Sequence, residues 1–175
     1  YTQNAEAYNL YLEGRLNWNK RTEEGLKRSI ELYQEAIAKD PKFALAYAGI
    51  ADAYLLAARM NILAPRTAYP KAKEAAEKAL EIDDALAEGY AGLAFIKYNY
   101  DWDWMGAEID FNWAIGLNPN YATAYQYYGS LLVSLGRFEE ALANYDKTIA
   151  LKPNHADALF NAGIVLGELQ RPEGA

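Results

Sequence analysis

The chain has 175 residues, of which 52% are hydrophobic, so it can bury a sizeable core. Its formal net charge of −7 argues against a nucleic-acid partner, because binding phosphates requires a basic face. The absence of cysteine excludes disulfide bonds and thiolate zinc sites, and no apolar run reaches the ~18–20 residues of a membrane span.

The first two helical patterns predict one hairpin. The first pattern covers about 4–20, where Asn4 is expected to act as the helix N-cap. The second follows Thr22, which is another capping residue, and ends at Asp40 and Pro41, because proline cannot continue a helix. Apolar residues recur every three or four positions in this second pattern, which places them on one helix face.

The next two hairpins depart from this plan in one place each. The second opens at Ala44 and contains an insertion over 59–70, where Thr67 is expected to cap a helix and Pro70 to lie in its first turn. The third opens at Ala87, and its turn is expected over 100–104. Trp102 and Trp104 in that turn are expected to serve packing.

Residues 118–153 form the clearest unit. Apolar residues recur at three- and four-residue steps on both sides of Gly136, which predicts two helices joined by a turn. Pro119 and Pro153, which bound this unit, lie 34 positions apart. Between them the sequence reads Tyr125-x2-Tyr128-Gly129-x2-Leu132, then Ala141-x3-Tyr145. Gly129 and Ala141 are small, as a close crossing of the two helices requires.

This period and this pattern are similar to those of the tetratricopeptide repeat (TPR) family. The resemblance implies an all-α superhelical solenoid of antiparallel helix hairpins with about nine helices, since each hairpin exposes an apolar face that its neighbour covers. It implies a single solenoid over 1–175, with repeats at about 4–41, 44–84, 87–119 and 122–153 and a partial repeat at 156–175. The partial repeat and the absence of an initial Met predict a piece of a longer protein.

A narrower resemblance rests on three phrases, at 11–22, 46–54 and 98–104. Together they resemble the C-terminal TPR region of bacterial multidomain proteins, in which the repeats follow a nucleotide cyclase, a winged-helix regulator or a protein kinase domain. This resemblance implies a regulatory or scaffolding part of a larger protein, without indicating which effector domain that protein carries.

An acidic cluster and a single histidine are the candidate sites of chemistry. Asp101, Asp103, Glu108 and Asp110 could bind a hard cation, but we expect Asp101 or Asp103 to cap a helix and the other acids to favour its N-terminus. His155 is the only histidine and is interpreted as a surface turn residue. Because nucleophile, phosphate-loop and metalloprotease motifs are also missing, we predict no catalytic residue, metal or cofactor.

The remaining candidate site is the concave face. In TPR proteins the first helix of each repeat lines this face, and the phase of the repeats predicts which residues point into the groove. They are Tyr8, Tyr11, Arg15, Trp18, Asp52, Leu55, Phe95, Tyr98, Gln126, Tyr127 and Ser130. This groove is expected to be aromatic with few charges. Some TPR proteins bind the C-terminus of a chaperone with a set of lysine, asparagine and arginine residues in this groove. Arg15 and Asn161 alone do not make up such a set.

The leading hypothesis is therefore a non-catalytic module that binds a protein or peptide segment in this groove, with no nucleic acid and no membrane insertion. The rival hypothesis is a structural module whose copies associate, including through the apolar face left by the partial fifth repeat. The alternative reading, in which the aromatic residues only thicken the helix packing, stays open. We expect a cytoplasmic location, with the cell envelope as the alternative.

Overall fold

A computed structural model of the protein describes residues 2–170. Within this range the chain forms nine α-helices and no strand, as the all-α prediction requires. Their bounds are α1 (Ala5–Asn19), α2 (Glu23–Lys39), α3 (Ala44–Arg59), α4 (Pro65–Ile82), α5 (Ala87–Ile96), α6 (Trp104–Leu117), α7 (Ala122–Ser134), α8 (Phe138–Leu151) and α9 (Ala156–Leu169). The start of a second helix in the fifth unit was expected over 171–175, which lies outside the described residues.

The helices form two layers that follow the chain. Each helix packs on the next in sequence, and the odd-numbered helices also contact one another in succession from α1 to α9. The odd-numbered helices therefore form the inner layer, and the even-numbered helices form the outer one. The array curves enough that Arg21, after α1, contacts Asp157 in α9.

The helices begin and end at capping residues and turns, where the regular hydrogen bonds of the helix backbone cease. The side chain of Asn4 accepts hydrogen bonds from the N–H groups of Glu6 and Ala7, and Thr22 accepts one from Gly25. Both predicted caps are thus confirmed. Gly136, between α7 and α8, has φ +73°, a left-handed conformation that suits glycine and explains its place in the turn.

Small residues allow the helices of a hairpin to approach closely. A Cβ added to Gly129 in α7 would lie 2.7 Å from Cε1 of Tyr145 in α8, and Tyr145 is buried. Ala141 is fully buried at the same crossing. The predicted close crossing of α7 and α8 is therefore confirmed.

The expected insertion at 59–70 has a different structure. Its second half belongs to α4, which begins at Pro65 and contains Pro70 in its interior. Thr67 was predicted to cap this helix, and that prediction is wrong, because Ala64 occupies the N-cap position without a side-chain hydrogen bond. Pro65 accounts for the earlier start, since its fixed φ suits the first position of a helix and it has no N–H to leave unpaired.

The turn of the third hairpin is also shorter than the predicted 100–104. After α5 the chain continues in a π-helical turn, Lys97–Asp101, which ends at Trp102 in a left-handed conformation with φ +58°. Asp103 then caps α6 by accepting a hydrogen bond from the N–H of Gly106 at 2.9 Å. Of the two acids considered for this cap, Asp103 is the one that makes it.

Candidate protein-binding groove

The first part of the concave face is an aromatic cluster at the start of the array. The rings of Tyr8 and Tyr11 in α1 lie 6.3 Å apart, and the Tyr11 ring contacts that of Phe43 at 5.3 Å in an edge-on arrangement. Tyr8 is exposed and Tyr11 is half-buried. Burial raises the pKa of Tyr11 to about 12, so this hydroxyl stays protonated at neutral pH. The cluster offers apolar surface with polar ring edges.

A buried ion pair separates this cluster from the centre of the groove. Arg15 Nη1 donates to Asp52 Oδ2 at 3.1 Å, and the Asp52 side chain is almost fully buried. Burial raises the pKa of Asp52, while the Arg15 guanidinium opposes that shift. The Arg15 guanidinium also lies 4.7 Å from the centre of the Trp18 ring. Arg15 and Asp52 therefore join α1 to α3 and are already partnered within the chain.

The far side of the groove is closely packed around Tyr127. The Phe95 and Tyr127 rings lie 4.3 Å apart, and the Tyr98 hydroxyl donates to the carbonyl oxygen of Ser130 at 3.2 Å. Phe95, Tyr127 and Gln126 are buried. Burial raises the pKa of Tyr127 to about 12. These contacts join α5 to α7 and leave only parts of each side chain open to a ligand.

Leu55 has no exposed surface, so it offers no contact to a ligand in this conformation. Asp52 and Trp18 are also buried, and only their edges border the groove. The accessible members of the predicted set are Tyr8, Tyr11, Arg15, Tyr98 and Ser130. Much of the predicted aromatic strip thus packs the odd-numbered helices against one another.

An opening lies between the first hairpin and the turn that joins α8 to α9. This central cavity has a volume of about 510 Å³. Its lining residues are Trp18, Asn19, Arg21, Leu56, Arg59, Thr123, Gln126, Tyr127, Lys152, Pro153, Asn154, His155 and Ala156. Three predicted groove residues, Trp18, Gln126 and Tyr127, are among them.

Asp157 pairs with two of the arginines that line the central cavity. Its Oδ2 atom accepts from Arg21 at 3.1 Å and from Arg59 at 3.3 Å. The Arg59 guanidinium also lies 6.0 Å from the centre of the Tyr127 ring. Residues from the first, second and fifth units therefore meet across the groove.

Lys152 differs from the two arginines that line this cavity, which both pair with Asp157. In the part of the chain that the structure describes, its Nζ atom has no ion-pair partner. Burial lowers the pKa of Lys152, and the positive charges of Arg15 and Arg21 lower it further, whereas the carboxylate of Asp52 opposes the shift. The side chain is therefore partly desolvated and has two positive charges and one negative charge in its surroundings.

The expectation of a groove with few charges is wrong. Arg21, Arg59 and Lys152 line the central cavity, and none of the three was predicted to face the groove. Arg21 and Lys152 lie in turns that follow helices, and Arg59 is the last residue of α3. Helix phase predicts which residues face the groove only within the first helix of each repeat. Residues in turns reach the groove through the curvature of the whole array, which helix phase does not describe.

The four acids around α6 each have another partner or role. Asp103 caps α6, and Asp101 pairs with Lys73 at 3.3 Å. The remaining two, Glu108 and Asp110, pair with Arg137 at 2.7 Å and with Lys97 at 2.6 Å. Within residues 2–170 no group of three or more histidine, cysteine or acidic side chains is placed to hold a metal ion.

The remaining aromatic candidates have different environments. Trp104 packs against the main core, as predicted, whereas Trp102 is mostly exposed, so its predicted packing role is wrong. His155 is half-buried rather than fully on the surface, and its Nδ1 accepts from the N–H of Ala158 at 3.4 Å as the N-cap of α9. Burial lowers the pKa of His155. None of the helices over 2–170 has the length and apolarity needed to cross a membrane.

Comparison with known proteins agrees with this architecture. Residues 129–170 match the TPR repeat family model. The solved TPR protein TTC0263 of Thermus thermophilus is 19% identical, and the match covers 93% of this chain and 82% of that one with a TM-score of 0.73. YrrB, described as a TPR protein with an unusual peptide-binding site, is 24% identical over 95% of this chain and 79% of its own, with a TM-score of 0.52.

The chain thus has the superhelical fold of a TPR solenoid, and the repeat match supports its place in the TPR repeat family. Among curated proteins, the transcriptional regulator HilA of Salmonella typhimurium is 30% identical over 149 residues, which are 85% of this chain and 27% of HilA. The chain therefore spans about a quarter of the length of the regulator it matches. TPR folds are generally non-catalytic interaction modules, so the fold suggests a role in protein–protein interaction.

Proposed function

We propose that this chain is a non-catalytic module that binds a segment of another protein, or of the larger protein to which it belongs, in the central cavity of its concave face. The segment carries an acidic side chain next to an apolar one. The observation that carries this proposal is an aromatic-lined cavity that contains a lysine without an ion-pair partner among the described residues.

The apolar part of the proposal rests on the walls of the cavity. Trp18, Leu56 and Tyr127 line it, and all three are held by packing within the inner layer. Rigid aromatic walls suit an inserted side chain, because a ligand that fills them orders few protein groups on binding. We therefore expect an apolar anchor residue to dominate the binding energy.

The charge of the cavity differs from that of the whole chain. The chain carries −7, yet Arg21, Arg59 and Lys152 line the cavity, and Asp157 is the acid that contacts two of these three cations. A basic cavity in an acidic molecule directs an anionic group to one place, because walls of low polarizability concentrate the field. An acidic side chain that pairs with Lys152 would remove the unbalanced charge.

We also propose that the module is a regulatory or scaffolding part of a larger protein, and the similarity to HilA supports this role. HilA is named a transcriptional regulator, and this chain matches 27% of its length. The likeness to YrrB concerns the fold alone. Binding of a segment by this chain is argued from its own cavity.

A random 12-residue peptide library, selected against the native chain, tests the proposal. We expect an enriched motif with an acidic residue beside an aromatic or aliphatic one. A selected peptide should bind the Lys152→Glu variant at least ~10-fold more weakly, since ~1.4 kcal/mol corresponds to a factor of ten and a charged contact contributes more than that. Lys42→Glu, which makes the same charge change in an exposed turn, is the matched control.

Native affinity in the Lys42→Glu variant, together with weak binding in the Lys152→Glu variant, would support the cavity as the site. Selection of peptides without acidic residues, or equal binding by the two variants, would contradict the proposal.

A further inference from the structure

The outer face of α6 carries a row of exposed apolar side chains, which we call the α6 stripe. Its members are Met105, Ile109 and Trp113, and they are 81%, 56% and 59% exposed. Residues four apart lie above one another on a helix, so the three form one continuous face. Trp102, 75% exposed, precedes the stripe by three residues.

The backbone before α6 holds Trp102 in an unfavourable conformation. The π-helical turn Lys97–Asp101 ends at Trp102, whose φ of +58° is uncommon for a bulky side chain. Local strain of this kind persists where the surrounding structure enforces it, and it is concentrated at functional positions. Here the strain accompanies an indole that is left mostly in solvent.

The area of this surface is large for a chain of this size. Met105, Ile109, Trp113 and Trp102 together expose on the order of 600 Å², taking about 250 Å² for a full tryptophan side chain. Contiguous apolar patches on monomeric proteins rarely exceed a few hundred Å². A standard interface covers about 800 Å² on each partner, so the stripe and its polar rim suffice for one.

The chemistry of the stripe indicates which partner covers it. The neighbouring acids Glu108 and Asp110 are already paired with Arg137 and Lys97 of the same chain. The stripe itself carries no charge that would attract an oppositely charged protein. Because two copies of a chain with a charge of −7 repel each other, an uncharged face is where they can meet.

The spacing of the stripe is also symmetric. Met105 and Trp113 each lie four residues from Ile109, so an antiparallel pair of α6 helices related by a two-fold axis at Ile109 places Met105 of one copy opposite Trp113 of the other. Methionine sulfur packs favourably against aromatic rings. We propose that the chain forms an isologous dimer in which two α6 stripes pack antiparallel, with the two Ile109 side chains meeting at the axis. This dimer leaves the central cavity on the opposite, concave face open.

Cysteine cross-linking tests the geometry, because the chain has no cysteine of its own. Only a residue near the two-fold axis brings its two copies within the ~3.5–4.5 Å between Cβ atoms that a disulfide needs. Ile109→Cys should form a disulfide-linked dimer on mild oxidation. Leu16→Cys and Phe160→Cys, at exposed apolar positions in α1 and α9, are the matched controls and should stay monomeric.

A mixture of Met105→Cys and Trp113→Cys chains gives an independent check. It should yield a cross-linked species that contains one chain of each kind, in excess over either homodimer. Cross-linking of Phe160→Cys in preference to Ile109→Cys would place the contact on α9 and overturn the proposal.

Sedimentation velocity measures the association without any cross-link. The native chain should dimerise at micromolar concentrations, and Ile109→Glu should raise the dimer dissociation constant at least ~10-fold, because two carboxylates would then meet at the axis. Phe160→Glu should leave it unchanged. A native chain that is monomeric at 100 µM, or a dimer that Ile109→Glu leaves intact, would refute the α6 dimer.

Discussion

Replacing Gly129 with alanine adds one methyl group where α7 crosses α8. The new Cβ would lie 2.7 Å from Cε1 of Tyr145, closer than carbon atoms pack, and the buried Tyr145 ring has little room to move. Overpacking of this kind costs about 1–3 kcal/mol. The gain from replacing glycine within a helix offsets about 0.5–1 kcal/mol of that cost. The variant should therefore be less stable than the native chain by up to about 2 kcal/mol.

Gly163→Ala is the matched control, one repeat length further along. Gly163 occupies the corresponding position in α9, but among residues 2–170 a Cβ added there would meet nothing within 4 Å. The same substitution should thus leave stability unchanged or raise it slightly. At about 2–4 °C per kcal/mol, the midpoint of thermal unfolding should differ between the two variants by roughly 2–10 °C. Circular dichroism at 222 nm measures this difference.

A double-mutant cycle isolates the clash itself. Tyr145→Leu removes the ring, so Gly129→Ala should cost less in that background than in the native chain. Equal midpoints for the Gly129→Ala and Gly163→Ala variants, or an unchanged cost in the Tyr145→Leu background, would refute the close crossing of α7 and α8.

Charged and strained positions give three further predictions. Asp157→Asn removes two partly exposed ion pairs, which contribute about 0.2–1 kcal/mol each, and the loss of stability should shrink in ~1 M salt; a loss that is the same at high salt would contradict an ionic origin. Burial raises the pKa of Glu88 above its value in the unfolded chain. The protonated form of Glu88 therefore stabilises the fold, and this stabilisation is lost as the pH rises. Glu88→Gln should therefore raise the unfolding midpoint at pH 7 but not below about pH 4, and a gain that does not depend on pH would indicate another cause. Trp102→Gly should relieve about 1–2 kcal/mol of backbone strain and raise the midpoint, whereas a lower midpoint would mean that indole packing outweighs the strain.

Local features of the fold followed directly from the sequence. The caps at Asn4 and Thr22 and the turn at Gly136 depend on a few adjacent residues, so their side-chain chemistry was enough to place them. The prediction of where α4 starts was wrong because two signals competed: Thr67 is a good capping residue, but the helix begins at Pro65, three residues before the start that a Thr67 cap would give. Sequence order alone did not indicate which of them would determine the helix start.

The charge of the groove could not be read from the repeat pattern. Arg21 and Asp157 are 136 positions apart, and their contact depends on how the small rotation at each hairpin accumulates along the array. Helix phase gave the inward residues of each repeat separately, so it could not show that turn residues close the cavity.

The exposure of the α6 stripe was missed for a different reason. Apolar residues occur on all sides of α6, where Phe111 is fully buried and Trp113 is exposed only two positions later. Periodicity distinguishes a buried face from an exposed one only where the exposed face is polar. A helix with apolar residues on both faces gave no such contrast.

Mapping of the bound peptide by NMR tests the central claim most directly. A peptide from the library selection would be titrated into isotope-labelled chain, and changes in backbone amide shifts would be followed. We expect the largest changes to cluster around the central cavity, at residues 18–21, 56–59, 123–127 and 152–157. Changes concentrated on the outer face of α6, or spread evenly over the chain, would contradict binding in the central cavity.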